Sequence, residues 1–121
     1  MSDLESIGGV GALQRLMHLF IHRCHDDFII GYLFQGRDLD RIIGHEVEHA
    51  AAHLGGPRGY TGRPLGEVHQ PLRINRGHFN RRLAILRTVL REHHVDEEII
   101  ERWVGQNQAL IDVISDGSDC L

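Results

Sequence analysis

The sequence contains no lysine, so all 13 of its cationic side chains are arginines. Only two cysteines are present, Cys24 and Cys120, which cannot build a disulfide framework and predict free thiols. No apolar run approaches the roughly 20 residues that span a bilayer, and no basic and apolar leader opens the chain. We therefore expect a cytoplasmic protein without a membrane span.

The length of 121 residues suits one domain, 1–121, with a self-sufficient core. Hydrophobic residues make up 41% of the chain and charged residues 25%, as in ordinary globular proteins. The last residues, 115–121, are mostly polar, and we expect them to form a flexible tail.

Apolar residues recur at helical spacing in four segments, 13–24, 39–54, 79–90 and 99–114, and strand patterns are nearly absent. A short opening helix is also predicted, separated from the first segment by glycines. The pattern therefore predicts an all-α fold with four substantial helices.

Residues that commonly cap helices precede three of these segments, at Asp38, Asn75 and Asp96. Residues 55–64 hold four glycines and two prolines, which exclude a regular element there. A short helical piece over 65–69 follows. We expect one long loop between the second and third long helices.

The arginines are concentrated near the third long helix, at Arg73, Arg76, Arg81, Arg82, Arg87 and Arg91. Such a cluster can serve nucleic-acid binding, but the formal charge of the chain is −4, which argues against that partner. We interpret the cluster as the solvated side of a helix and expect no nucleic-acid partner.

Ten histidines are many for this length, and His45, His49 and His53 are spaced four residues apart on the predicted 39–54 helix. Histidine is widely used for metal ligation and for proton transfer near neutral pH. Glu46 falls inside the apolar arc of the same helix, where burial disfavours a charged carboxylate without a partner. We expect Glu46 to hydrogen-bond a histidine of this helix or a ligand of the site; the alternative is that it reaches solvent.

Residues 45–49 read His-Glu-Val-Glu-His, which matches the H-E-x-x-H pattern of zinc-dependent hydrolases. In that interpretation His45 and His49 bind zinc and Glu46 is the general base, with His53 or His69 as the third ligand. Such an enzyme usually holds its substrate on a sheet edge, for which this sequence offers no strand. The zinc-dependent hydrolase remains an alternative.

The order of several motifs resembles the truncated (2/2) haemoglobins, most closely their first group. The matching residues are Gly8-Gly9, Phe20, Asp27, Phe34, Leu54-Gly55-Gly56-Pro57, Tyr60-Thr61-Gly62, Val68-His69-Gln70, Ile74 and His78-Phe79. The resemblance covers about residues 7–114. It implies a two-over-two helical sandwich that encloses haem b and binds the diatomic gases O2, CO and NO.

The resemblance also implies roles for particular residues. His69 is the implied proximal ligand of the haem iron. The residues implied to contact the haem are Phe34, Arg37, Arg41, Ile42, Tyr60 and Phe79. Among them, Arg37, Arg41 and Tyr60 match positions that reach the haem propionates, and arginine suits carboxylates because its donors are bidentate.

The distal side, which includes Phe20, departs from the family pattern. Ile21 replaces the tyrosine that usually follows Phe20, and Ile42, at the position facing the ligand, is also apolar. Glu46 stands where glutamine is common. The usual hydrogen-bond clamp on bound oxygen is therefore missing, which argues against simple oxygen storage.

His45 is the expected sixth iron ligand, because it lies three residues after Ile42 on the same side of the helix. Some cyanobacterial members of the family carry a ligating histidine at this position; His49, one turn on, is the alternative. Several roles stay open for such a hexacoordinate protein: oxygen binding or transport, nitric-oxide dioxygenase or peroxidase-like redox chemistry with an unidentified reductase, and a non-catalytic sensor or electron-transfer module.

Overall fold

The computed structural model describes residues 2–55 and 76–109, and these residues form helices without strands. The helices are α1 (Asp3–Ser6), α2 (Gly9–Asp26), a 3-10 turn (Gly31–Phe34), α3 (Leu39–His53), α4 (Arg76–Glu92) and α5 (Glu97–Gln108). Four of them are long, as the apolar spacing predicts. The fold class is therefore all-α.

The break between α1 and α2 is made by glycine. Gly8 and Gly9 have φ angles of 110° and 84°, in the left-handed region that side chains disfavour. Ser2 and Glu5 form a capping box at the start of α1, in which the Ser2 hydroxyl accepts from the Glu5 N–H at 3.1 Å. The predicted short opening helix is confirmed.

Two of the predicted helix caps are confirmed. The Asp38 carboxylate accepts from the Arg41 N–H at 3.2 Å, and the Asp96 carboxylate accepts from the Glu98 N–H at 3.1 Å. Gly55, with a φ of 93°, follows the end of α3. The predicted cap at Asn75, the long loop beyond Gly55 and the short piece at 65–69 lie outside the described residues.

The four long helices form two layers, with α2 and α3 in one and α4 and α5 in the other. Helix α2 packs against α3 and α4, and α5 packs against α4 and α3. The largest fully buried side chains are Trp103, Phe20, Phe79, Leu13, Met17, Ile21, Ile30, Leu86, Leu90, Ile100, Val89 and Cys24. The predicted apolar faces of α2, α4 and α5 therefore supply the core; positions 110, 111 and 114 are outside the described residues.

Helix α3 is less buried than its apolar pattern predicts. Of its predicted inward side, only Ala50 within the helix and Leu54 at its end are buried. The others are half-buried at the margin of the core: Leu39, Ile42, Ile43, Val47 and Ala51. One side of α3 is thus only partly covered by the other described helices.

Cys24 is a free thiol in the core, as predicted, and burial raises the pKa of this thiol to about 12. Cys120 lies outside the described residues.

The interpretation of the arginine cluster as solvated is wrong for Arg82, which is 6% exposed. No helix in the described ranges is long and apolar enough to cross a membrane.

Candidate functional site

The candidate site is built on the partly covered side of α3. Ile42, His45, Glu46, His49 and His53 are spaced by three or four residues, so a helix places them on one side, and all five are half-buried. This side therefore combines one apolar residue with three imidazoles and a carboxylate. Such a set can pack on an apolar group and also offer ligands to a metal ion.

A buried polar network joins this side of α3 to α4 and α5. Arg82 of α4 donates through Nη2 to Oε1 of Glu46, and through Nη1 to Oδ1 of Asn107 at 3.3 Å. The amide of Asn107 in turn donates to the carbonyl oxygen of Trp103 at 3.0 Å. The side chains of Arg82 and Glu46 are only 8% and 12% exposed. One guanidinium therefore connects three helices inside the protein.

The ring of Phe20 forms the α2 side of this network. The guanidinium carbon of Arg82 lies 5.0 Å from the centre of that ring, within the range of a cation–π contact. Phe20 and its neighbour Ile21 are both 0% exposed. The two residues expected on the distal side from α2 are therefore buried, and Phe20 meets the same guanidinium as Glu46.

The histidines continue along α3 towards α5. The rings of His49 and His53 are 5.2 Å apart, edge to face, and His53 is 6.3 Å from the ring of Trp103. Burial lowers the pKa of His49, and it lowers the pKa of His53 to about 4. The Nε2 atom of His53 is buried, with no hydrogen-bond partner among the described residues. Both imidazoles are therefore favoured in the neutral form.

The remaining predicted contact residues are found in three places. Phe79 of α4 is fully buried, and Phe34 of the 3-10 turn is half-buried against the core. Arg37 and Arg41 are exposed near the start of α3, where their guanidinium groups are accessible to an anionic partner. Tyr60 and His69 lie outside the described residues.

Glu46 accepts from Arg82, a partner that the sequence analysis does not name, because a sequence gives no direct sign of an ion pair between distant residues. Arg82 and Asn107 were not among the predicted site residues. A signal was nevertheless available: Arg82 lies three residues after Phe79 and four before Leu86, on the inward side of α4. An arginine at such a position needs a buried anionic or acceptor partner.

The zinc interpretation receives no support from the described part of the chain. Within residues 2–55 and 76–109, no three histidine, cysteine, aspartate or glutamate side chains come together as a metal site would require. His53, one of its proposed third ligands, instead packs against His49 and Trp103.

Known proteins share both the sequence pattern and the fold. A family model described as bacterial-like globin matches residues 3–115. The group 1 truncated hemoglobin of Mycolicibacterium paratuberculosis is 34% identical over 116 residues, which cover 96% of this chain and 85% of that protein. The group 1 truncated hemoglobin of Synechocystis is 30% identical over 105 residues, which cover 83% and 85% of the two chains.

Solved structures agree with this assignment at the level of the fold. The truncated hemoglobin of Tetrahymena pyriformis in its Fe(III) form matches with a TM-score of 0.88 at 22% identity, covering 98% of this chain and 100% of that one. The 2/2 hemoglobin of a Synechococcus species, solved in the cyanomet state with covalently attached heme, matches with a TM-score of 0.82 at 22% identity, covering 92% and 98%. The chain therefore belongs to the bacterial-like globin family, whose members are haem proteins, and is similar throughout to the group 1 truncated hemoglobins.

Proposed function

We propose that this chain binds one haem b group and, through its iron, the diatomic ligands O2, CO and NO. The observation that carries the proposal is the partly covered side of α3, where an apolar residue and three imidazoles lie at the margin of the core; burial favours the neutral form of two of them, His49 and His53. Family membership supports the same assignment.

The described residues fit a haem by their chemistry. Ile42 and Phe34 offer apolar surface to a porphyrin, and both pack at the edge of the core. Imidazole is a common ligand of iron in proteins. Arg37 and Arg41 are exposed, and arginine is suited to the propionate groups because it binds carboxylates with two donors.

Two histidines have distinct proposed roles. His69 is the proposed proximal ligand, on the strength of its place in the Val68-His69-Gln70 motif. His45 is the proposed sixth ligand, and its half-buried position beside Ile42 on α3 supports that role. His49 is the alternative, although its ring packs against His53.

The bound haem would supply an iron centre that binds gases and exchanges single electrons. Ile21 and Ile42 present no hydrogen-bond donor, which favours a redox or nitric-oxide-related role over oxygen storage or transport. A nitric-oxide dioxygenase or peroxidase-like activity of this kind needs a reductase, which we propose as a partner in the cytoplasm. A hexacoordinate sensor or electron-transfer module is the second candidate, favoured by the additional histidines of α3.

The absorption spectrum of the purified protein tests the proposal. We expect a Soret band of the strength of one haem per chain, low-spin iron in both oxidation states, and sharp α and β bands after reduction. A colourless protein that contains zinc would overturn the proposal in favour of the hydrolase.

Two single variants test the ligands. His69→Ala should lose stable haem uptake or change the ligand of the iron, and an unchanged spectrum would contradict the proximal assignment. His45→Ala should convert the iron to a high-spin form with faster CO binding, whereas the matched variant His49→Ala should stay low-spin. The reverse result would assign the sixth position to His49.

A further inference from the structure

Arg82 is a buried cation that sets the direction of the hydrogen bonds it makes with the described residues. It donates to Glu46 and to Asn107, and its guanidinium faces the ring of Phe20. Because arginine has donors only and keeps its charge, every polar group that meets it must accept. The carboxylate of Glu46 is therefore held beside Arg82 as an acceptor.

The orientation of Asn107 reinforces this arrangement. Its oxygen accepts from Arg82 at 3.3 Å and its amide nitrogen donates to the Trp103 carbonyl at 3.0 Å, so both ends of the amide are engaged. Asn107 is 5% exposed and Arg82 is 6% exposed. A guanidinium held on two sides within a packed core has little freedom to turn, and it keeps Glu46 at one place on α3.

Three of the other side chains expected around the distal ligand are apolar and have no donor. Phe20 and Ile21 are fully buried and apolar, and Ile42 is apolar and half-buried. The imidazoles of His45 and His49 share this side of α3 with Glu46. A carboxylate has about four lone-pair positions on its two oxygens, so it can accept hydrogen bonds from several donors at once, Arg82 among them.

We propose that Arg82 is a positioning residue that holds Glu46 as a hydrogen-bond acceptor on the distal side, so that the site favours ligands that carry hydrogen on the atom bound to iron. This inference rests on the proposed haem site. Hydrogen sulfide is a ligand of this class, because its S–H group donates to a carboxylate. Azide and O2 bring only lone pairs and negative charge to the same place, and a carboxylate repels them.

The test compares two probes on the haem-loaded ferric protein, sodium sulfide and sodium azide. The ratio of their dissociation constants cancels the cost of displacing His45, since both ligands must displace it. Glu46→Gln, which adds an amide donor, and Arg82→Met, which removes the partner of Glu46, should each lower the preference for sulfide about tenfold. Arg82→Lys should keep most of that preference.

The matched control is Arg81→Met, because Arg81 is the neighbouring arginine of α4 and pairs with Asp27 instead. This variant should leave the ratio unchanged. If Arg82→Met does not fold, Glu46→Gln and Arg82→Lys still decide the inference, since glutamine has nearly the shape of glutamate and lysine keeps a donor cation beside Glu46. A ratio that stays within about twofold in Glu46→Gln would overturn it.

The CO stretching frequency of the reduced protein gives a second readout that does not depend on affinity. An acceptor next to bound CO raises this frequency, because negative charge opposes back-donation from iron into the CO antibonding orbital, whereas a donor lowers it. We expect the frequency to fall in Glu46→Gln and to stay unchanged in Arg81→Met. A haem-loaded protein with an unchanged frequency would overturn this inference alone; a protein without a Soret band would overturn the proposed function as well.

Discussion

Arg81 and Arg82 are neighbours on α4, yet the side chain of Arg81 is 39% exposed and that of Arg82 is 8% exposed. Consecutive residues of a helix project about 100° apart, so the two side chains meet different neighbours. Arg81 donates through Nε to the carboxylate of Asp27, at the end of α2, at 3.1 Å. Arg82 reaches Glu46 of α3 inside the protein. Two adjacent cations thus connect α4 to two different helices.

The ion pair of Asp27 predicts a loss of stability in acid. The hydrogen bond from Arg81 holds the pKa of Asp27 below its ordinary value of 3.8, and the N–H groups of Ile30 and Ile29 add to this effect. A lowered folded-state pKa gives stability that is complete above about pH 4 and is lost as the pH falls further. The free energy of unfolding, measured with urea at a series of pH values, should therefore decrease once the pH drops below about 4.

Asp27→Asn should remove part of that acid-dependent loss. Asp26→Asn is the matched control, because its side chain is 78% exposed and lies one residue away. If the dependence of the unfolding free energy on pH changes equally in both variants, the role of the Asp27–Arg81 pair is contradicted.

His53 predicts a second loss of stability, at higher pH. Burial first, and the neighbouring charge of His49 second, lower its pKa from 6.5 to about 4, while Glu46 and Asp3 act in the opposite direction. The neutral form is therefore favoured by folding, so the stability that His53 contributes is complete above about pH 6.5 and decreases between 6.5 and 4. His53→Gln should flatten the unfolding free energy in this range. His93→Gln, on an exposed residue, should not.

At Gly31, we expect the addition of a single methyl group to cause a steric clash. A Cβ atom at this position would lie 2.5 Å from the carbonyl oxygen of His25, a backbone atom that cannot move aside cheaply. Gly31→Ala should therefore lower the free energy of unfolding by about 1–3 kcal/mol. Gly44→Ala is the control, since a Cβ there meets nothing within 4 Å and alanine favours a helix. If the urea concentration at the midpoint of unfolding rises for both variants, the expected clash at Gly31 is contradicted.

The buried Glu46–Arg82 pair predicts a coupling between two substitutions. Glu46→Leu or Arg82→Met alone should each cost about 3–5 kcal/mol, because each leaves one buried charge without its partner. The double variant should cost much less than the sum of the two, since both charges are then removed. A double-mutant cycle of unfolding free energies measures the coupling. Additive losses would show that the two side chains act independently.

Much of the fold could be predicted from the sequence. The 3.6-residue spacing of apolar side chains indicates α2 and α4, and the capping carboxylates of Asp38 and Asp96 indicate where two helices begin. These signals are local, so neighbouring residues in the chain are enough to specify them. The histidine row on α3 could be found for the same reason, since four-residue spacing places its members on one side of a helix.

The partner of Glu46 could not be predicted in this way. It comes from α4, 36 residues further along the chain, and the pair forms only where α3 and α4 approach each other in the assembled protein. The sequence by itself determined the helices, their capping residues and the motifs of the family, because each depends on a short stretch of chain. The tertiary structure alone decided that Arg82 is buried while Arg81 is partly exposed, and that the other described helices cover one side of α3 only in part, because both depend on how separate helices pack against one another.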